Sequence, residues 1–134
     1  MDFTSETIEA LHQQYTGKSF FRLLQAFKAL QMHDFVFDLR AGEATYHHQS
    51  GASLKRDLLL PPLTIPQKSD GQKALIVLRN HQAGNTDFMT FIQEIAQAGV
   101  YKWVSDCEEM TCTYYDLKDD VLITEVIKGD DSGD

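Results

Sequence analysis

The chain has 134 residues, a formal net charge of −8 and a hydrophobic content of 43%, which is enough for one domain with a buried core. The acidic balance and the lack of any basic run argue against direct nucleic-acid binding, because phosphate contacts require clustered lysine and arginine. No apolar run approaches the ~20 residues of a transmembrane helix, and the start of the chain lacks signal-peptide features. We therefore expect a cytoplasmic protein without membrane association.

Two helices are predicted at the start of the chain. Thr4 or Ser5 can cap a first helix, which Gly17 ends. Ser19 can cap a second helix. Its apolar residues recur at helical spacing and predict one buried face: Phe20, Leu23, Leu24, Phe27 and Leu30.

The next segment predicts strands. Residues 34–40 alternate between apolar and polar side chains, as a half-buried strand does. Residues 41–42 supply a turn, and Tyr46 points inward on the returning strand. Residues 54–60 predict a third strand, which the prolines that follow bring to an end.

The second half begins with another pair of predicted helices. Ser69 or Asp70 can cap a helix that runs to about Gln82, and the apolar run at residues 74–78 predicts that this stretch is buried. Thr86 or Asp87 can cap a further helix that ends at Gly99. Its apolar positions have the spacing of the second helix: Phe88, Phe91, Ile92, Ile95 and Ala98.

Residues 101–116 predict a β-hairpin that turns at Glu108 and Glu109, and residues 121–127 predict a last strand. Alternation places one mostly apolar set on a single face: Tyr101, Trp103, Ser105, Cys107, Met110, Cys112 and Tyr114. The two cysteines are offset on the hairpin and too few for a disulfide scaffold, so we predict free thiols. Residues 129–134 predict a disordered acidic tail.

The two halves of the chain repeat one pattern. A shift of 68 positions, the separation of Phe20 from Phe88, aligns the two strongly amphipathic helices. The same shift aligns identical residues in the strands, among them Val36 with Val104, Asp38 with Asp106 and Tyr46 with Tyr114, and it pairs Ile8 with Ile76. Such identity in one register favours duplication over chance patterning.

These elements predict an α+β fold built from a duplicated helix-helix-β-hairpin unit. The strands form an antiparallel sheet, which helices cover on the face that carries Phe35, Tyr46, Trp103 and Tyr114. We expect residues 1–128 to form a single domain made of two pseudo-repeats, at about residues 4–60 and 70–127.

Few residues of the sequence indicate chemistry. His47 and His48 are adjacent on a strand and point to opposite faces, so they are unlike a metal pair. The spacing of Cys107 and Cys112 is not that of a zinc or redox motif. Asp38 and Asp106 are equivalent outward carboxylates without a histidine or lysine partner beside them. We predict no catalytic, cofactor-binding or metal-binding residues.

One group of residues is a candidate for a ligand site between the two repeats: His81, Asp87, Trp103 and Asp106. Clefts between repeated halves are common ligand sites. Each residue also has a structural interpretation. His81 stabilises a helix C-terminus, and His12 recurs at a similar place in the first repeat, which favours a structural role. Trp103 is expected to be a core residue that contacts the fourth helix near Phe91 or Ile95.

Two stretches, residues 81–88 with sequence HQAGNTDF and residues 102–116 with sequence KWVSDCEEMTCTYYD, resemble the YbcV/YdfO-like family. These are small uncharacterised bacterial and prophage-encoded proteins, some of which carry the label "phage envelope protein". Nothing in this sequence indicates a membrane or a secreted coat. The resemblance covers most of the chain, and it implies no catalytic residues. The turn at residues 116–120 departs from the glycine-containing turn of the family.

The sequence leaves three functions open. The first, which is the leading expectation, is a small, non-enzymatic binding or regulatory protein that acts through protein contacts, as a monomer or homodimer. The alternative is a small-molecule-binding domain or enzyme with its site between the repeats. A further alternative is an acidic mimic of nucleic acid. A closed core between the halves would favour the first function, and an open pocket with polar groups would favour the second.

Overall fold

The computed structural model of the protein describes residues 2–129. This part of the chain folds into four helices and a six-stranded antiparallel sheet with the strand order β3-β2-β1-β4-β5-β6. The elements in chain order are α1 (Ser5–Tyr15), α2 (Phe20–Ala29), β1 (Met32–Asp38), β2 (Glu43–His48), β3 (Ser53–Asp57), α3 (Gly71–Gln82), α4 (Phe88–Gln97), β4 (Val100–Asp106), β5 (Thr111–Asp116) and β6 (Val121–Val126).

Each helix begins at a side chain that caps it. The capping oxygens accept hydrogen bonds from the backbone N–H three residues further on, and they belong to Thr4, Ser19, Asp70 and Asp87. These bonds satisfy donors that a helix leaves free in its first turn. The α+β class and the four helix starts predicted from the sequence are thereby confirmed.

The sheet has an approximate two-fold axis at its centre. Strands β1 and β4 pair antiparallel, and Val36 lies directly opposite Val104. These two valines are equivalent in the 68-residue repeat. Within each half, Tyr46 lies opposite Phe35 and Tyr114 opposite Trp103, again equivalent pairs. A duplicated unit that pairs with its own copy through the first strand produces this arrangement.

The backbone hydrogen bonds at the two ends of the central pair follow the same symmetry. The N–H of Leu39 donates to the carbonyl of Tyr101 at 2.7 Å, and the N–H of Cys107 donates to the carbonyl of His33 at 2.9 Å. Leu39 and Cys107 are equivalent in the repeat, as are His33 and Tyr101. The backbone therefore forms equivalent hydrogen bonds in both halves, at the two ends of the central strand pair.

The helices cover one face of the sheet. Phe35, Tyr46, Trp103 and Tyr114 are buried under them, as predicted. The pair α1–α2 packs over the strands of the first half and the pair α3–α4 over those of the second, where α3 also contacts β6. The other face of the sheet is half-buried and carries smaller side chains such as Val36 and Val104. The four helices thus form one layer over one face of the sheet.

Two local predictions were wrong. Within residues 74–78, Leu75 and Ile76 are exposed, because a single helix face cannot bury a continuous apolar run. Ile76 therefore does not match the buried Ile8, and the first helix of each repeat departs from the 68-residue register. The third strand ends at Asp57, since Leu59 has a positive φ of 55° that breaks the extended backbone.

The cysteine prediction is confirmed, because Cys107 and Cys112 are both buried free thiols. No helix within residues 2–129 has the length and apolarity that a membrane span requires. The predicted acidic tail falls largely on residues 130–134, which lie outside the described residues.

Gly99 is the glycine that the packing of the second repeat requires. Its φ is +99°, and an added Cβ would lie 2.6 Å from the Cα of Ser69. We expect Gly99→Ala to lower the free energy of unfolding by about 1–3 kcal/mol, since it combines backbone strain with a clash. Gln31 occupies the equivalent position with φ 63°. Gln31→Gly should change stability by less than about 1 kcal/mol. Urea denaturation of both variants measures the difference, and equal small effects would contradict this account.

Candidate functional site

An open cleft of about 920 Å³ lies between the two helix pairs, over the centre of the sheet. Its floor comes from the central strands of both halves, including Phe35, Phe37, Trp103 and Tyr114, and both helix pairs contribute to its walls. The extensive helix–helix contacts occur within each pair, α1 with α2 and α3 with α4. The space between the pairs is therefore left open, and we call it the inter-repeat cleft.

Aromatic rings make the floor rigid and apolar. The Trp103 ring lies 5.4 Å from Phe37, 5.5 Å from Tyr114 and 5.7 Å from Phe91, measured between ring centroids. Trp103 is only 6% exposed and contacts Phe91 of α4, as the sequence predicted. Interlocked rings at these distances stabilise one another beyond their buried area, so the floor is preorganised.

The first repeat supplies a chain of polar groups to one end of the cleft. The Arg56 guanidinium donates to the Tyr46 hydroxyl at 3.1 Å, and this hydroxyl lies 2.9 Å from Nε2 of His12. Nδ1 of His12 lies 3.3 Å from the Thr16 hydroxyl. Because Tyr46 accepts from Arg56, its own proton is free to be donated to His12. Both ring nitrogens of His12 are thus occupied.

His12 is neutral at physiological pH. Burial, followed by the positive charge of Arg56, lowers the pKa of His12 from 6.5 to about 4. The His12 ring packs between aromatic side chains, with its centroid 5.3 Å from that of Phe27 and 5.9 Å from that of Tyr46. Burial also raises the pKa of the Tyr46 hydroxyl. Arg56 is therefore the charged group among these hydrogen-bonded side chains.

His81 lies at a similar place in the second repeat, one residue beyond the 68-residue register, and has a different set of contacts. Its ring stacks on Phe91 with centroids 4.3 Å apart. Its Nδ1 lies 3.1 Å from the carbonyl oxygen of Thr86, which can only accept, so Nδ1 carries the proton in this bond. In the neutral ring Nε2 is then an acceptor, and no residue in the described part of the chain forms a hydrogen bond with it. Of the two histidines that line the cleft, His81 keeps a nitrogen available to a ligand.

An ion pair lies at the other end of the cleft. The guanidinium of Arg79 on α3 lies 2.5 Å from a carboxylate oxygen of Glu125 on β6. The same guanidinium donates to the side-chain oxygen of Gln82 at 2.6 Å, and the amide nitrogen of Gln82 donates to Glu125. Arg79 and Glu125 therefore neutralise each other and connect α3 to the last strand.

The structure brings two of the four candidate site residues to the cleft. His81 and Trp103 line it. Asp87 caps α4 by accepting from the N–H of Thr90 at 2.8 Å, and the hydrogen bonds from Thr90 lower the pKa of this carboxyl. Asp106 accepts from the backbone N–H groups of Glu108 and Glu109, both at 2.9 Å. Asp87 and Asp106 thus have local structural roles.

Asp38 shows why the sequence repeats an aspartate at the position of Asp106. Its carboxylate accepts from the N–H groups of Arg40 and Ala41, both at 2.9 Å, at the equivalent hairpin. Such turns formed by an aspartate with the backbone two and three residues on fix the geometry of a tight loop. The identity at this pair of positions is explained by turn formation.

Sequence reasoning missed three residues that shape the cleft: His12, Arg56 and Glu125. The recurrence of a His-Gln pair in both repeats was the available signal for His12. Arg56 and Glu125 lie on the edge strands, where Arg56 is opposite Ala44 and Glu125 opposite the equivalent Cys112. Only the sheet register shows that these two edge residues correspond.

The other histidines lie away from the cleft. His47 contacts Asp34, with Nδ1 2.6 Å from the carboxylate, whereas His48 contacts the Ser50 hydroxyl at 2.8 Å. Asp34 also accepts from His33 at 2.7 Å, and this hydrogen bond raises the pKa of His33. Within residues 2–129, no three histidine, cysteine, aspartate or glutamate side chains are placed to hold a metal ion.

The fold and the cleft define a class of protein: an α+β protein in which an open cleft lies between two similar helix-helix-β-hairpin units. Residues 9–126 match the family described as "Protein of unknown function (DUF1398)", and the chain belongs to this family.

Uncharacterised mycobacterial proteins are among its relatives. The chain is similar to uncharacterized protein Mb2035 of Mycobacterium bovis and to uncharacterized protein Rv2012 of Mycobacterium tuberculosis, with 36% identity over 64 residues in each case. These matches cover 48% of this chain and 39% of each relative, so they span about two fifths of the relatives' length. They indicate no specific function.

Proposed function

We propose that the protein binds a small molecule in the inter-repeat cleft. The observation that supports this function is an open cavity of about 920 Å³ where the two repeats meet. Ligand pockets commonly measure roughly 300–1,000 Å³, and they combine an apolar lining with a few polar groups that fix orientation. The aromatic floor around Trp103 and the polar side chains of Arg56 and His81 provide both features.

A rigid frame surrounds the cleft. The floor consists of central strands that are paired on both sides, and the walls are helices with capped N-termini. A preformed cavity lowers the ordering cost of binding. The shape favours a small molecule over the protein partner that is the leading expectation from the sequence, because a concave cleft accepts a compact ligand and a protein interface presents a broader surface. A protein partner and a monomeric or homodimeric state remain predictions.

Within the family, we propose that the chain is one of the YbcV/YdfO-like members, on the strength of the two stretches at residues 81–88 and 102–116. We also propose a cytoplasmic location, which the two buried free thiols support, because reducing compartments preserve thiols.

Binding of a neutral apolar probe tests the proposed function. N-phenyl-1-naphthylamine becomes fluorescent in apolar surroundings, and its absorption overlaps tryptophan emission. We expect saturable binding with energy transfer from Trp103, the single tryptophan, which lies in the cleft floor. Absence of binding, or binding without energy transfer, would contradict a ligand site in the cleft.

Two matched substitutions locate the probe. Phe88 is 38% exposed and lines the cleft, whereas Ile76 is 62% exposed and is not part of the lining. Phe88→Glu places a carboxylate in the apolar wall, at a helix N-terminus that tolerates negative charge. We expect it to weaken probe binding by about tenfold or more, since burying an unpaired charge is costly. Ile76→Glu should leave the affinity unchanged, and equal effects of the two variants would place the probe elsewhere.

A further inference from the structure

The charge of the cleft is opposite to that of the protein. The chain carries a formal net charge of −8, yet the cleft lining holds two guanidinium groups, Arg56 and Arg79, against one carboxylate, Glu125. Charges that line a concave apolar site act more strongly on a ligand than charges on open surface, because less water screens them. The cleft therefore favours negative charge in a protein whose surface is acidic.

Arg56 is the cation at the first-repeat end of the cleft. Arg79 is neutralised by Glu125 at 2.5 Å. Arg56 is half-buried, and no carboxylate within residues 2–129 forms an ion pair with it. Its hydrogen-bond partner is the neutral hydroxyl of Tyr46. A guanidinium has five N–H donors in a planar fork, so donors remain for a ligand.

The surroundings of Arg56 fix its position. It lies on the edge strand β3 between the exposed Lys55 and Asp57, which alternate to the other side of the strand. The Tyr46 hydroxyl that holds Arg56 is in turn hydrogen-bonded to His12. Because His12 is neutral, its ring brings no second charge to this end of the cleft. The result is a guanidinium held in a fixed orientation beside the aromatic floor.

We propose that the ligand of the cleft is an organic anion, with a flat apolar body on the aromatic floor around Trp103 and an oxyanion group paired with the Arg56 guanidinium. The inference rests on the proposed function and adds the chemical class of the ligand. Guanidinium forks bind oxyanions such as carboxylate through two parallel hydrogen bonds, and aromatic floors favour planar apolar ligands through offset stacking.

Paired anionic and neutral probes test the proposal. The anion 1-anilinonaphthalene-8-sulfonate and the neutral N-phenyl-1-naphthylamine share the same aromatic skeleton. Both are titrated into wild-type protein, Arg56→Gln and the control Lys55→Gln, which removes the same charge from the adjacent residue on the other face of β3. We expect Arg56→Gln to lower the affinity for the anionic probe by about tenfold or more. Its affinity for the neutral probe should fall by less than about twofold. Lys55→Gln should change neither affinity.

Each outcome has one meaning. Equal weakening of both probes in Arg56→Gln, or no weakening of the anionic probe, would overturn the role of Arg56. Failure of both probes to bind wild-type protein would instead overturn the proposed function. If Arg56→Gln does not fold, wild-type protein still tests the proposal. Added NaCl should lower its affinity for the anionic probe and leave its affinity for the neutral probe unchanged. Competition by 1-naphthoate and by 1-naphthyl phosphate then distinguishes a carboxylate ligand from a phosphate ligand.

Discussion

Trp103→Ala should lower the free energy of unfolding by about 3–5 kcal/mol, the usual cost of removing a large buried aromatic side chain. Trp103 is 6% exposed. Its ring contacts Phe37 of the first repeat, Tyr114 of its own repeat and Phe91 of the helix above. The side chain thereby joins the two halves and one helix pair at a single point. Such a loss is a large part of the total stability of a domain.

Urea denaturation followed by far-ultraviolet circular dichroism measures this effect, because the variant lacks the fluorescent tryptophan. Trp103→Phe should keep most of the ring contacts and lose much less stability. Phe88→Ala is the second control: Phe88 also lines the cleft, but it is 38% exposed, and its replacement should cost about 1–2 kcal/mol. A loss below about 1 kcal/mol for Trp103→Ala would mean that its contacts do not hold the halves together.

Stability should fall as the pH is lowered from about 6.5 to about 4, with a contribution on the order of 3 kcal/mol from His12. The pKa of His12 is lowered from 6.5 to about 4 in the folded protein. Between these values the unfolded chain binds a proton at His12 and the folded protein does not, so acid favours unfolding. Above pH 6.5 the contribution is fully present.

The comparison of wild type with His12→Gln isolates this group. The variant should show a flatter dependence of unfolding free energy on pH between about 4 and 6.5. His33→Gln provides a control of opposite sign: the hydrogen bond with Asp34 raises the pKa of His33, so its contribution is present at low pH and is lost as the pH rises. An unchanged pH profile in His12→Gln would show that His12 titrates normally in the folded protein.

Much of the fold could be predicted because it depends on local patterns. The spacing of apolar residues in the second and fourth helices fixes which face is buried, and the alternation around Trp103 fixes the covered face of the sheet. The 68-residue repeat predicted two similar units, and the pairing of Val36 with Val104 is consistent with this relation. Periodicity failed at Leu75 and Ile76, where a continuous apolar run contains no signal for the face that stays exposed.

The cleft could not be predicted in the same way. Its polar groups come from distant parts of the chain: His12 meets Tyr46 across 34 positions, and Arg79 meets Glu125 across 46. The distance between the two helix pairs depends on how they pack over the central strands, and no local pattern encodes that distance. Asp87 and Asp106 were candidates because they are polar and close to the predicted site in sequence, but helix capping and turn formation explain both.

The central claim is that a small molecule occupies the cleft between the repeats. Titration of ¹⁵N-labelled protein with N-phenyl-1-naphthylamine, followed by two-dimensional NMR, tests it most directly. We expect the indole N–H resonance of Trp103 to shift until binding saturates, together with amides near His12 and His81, one from each repeat. Amides near Val36 and Thr113, whose side chains lie on the other face of the sheet, should move little. Shifts confined to that face, or no saturable shift of Trp103, would contradict it.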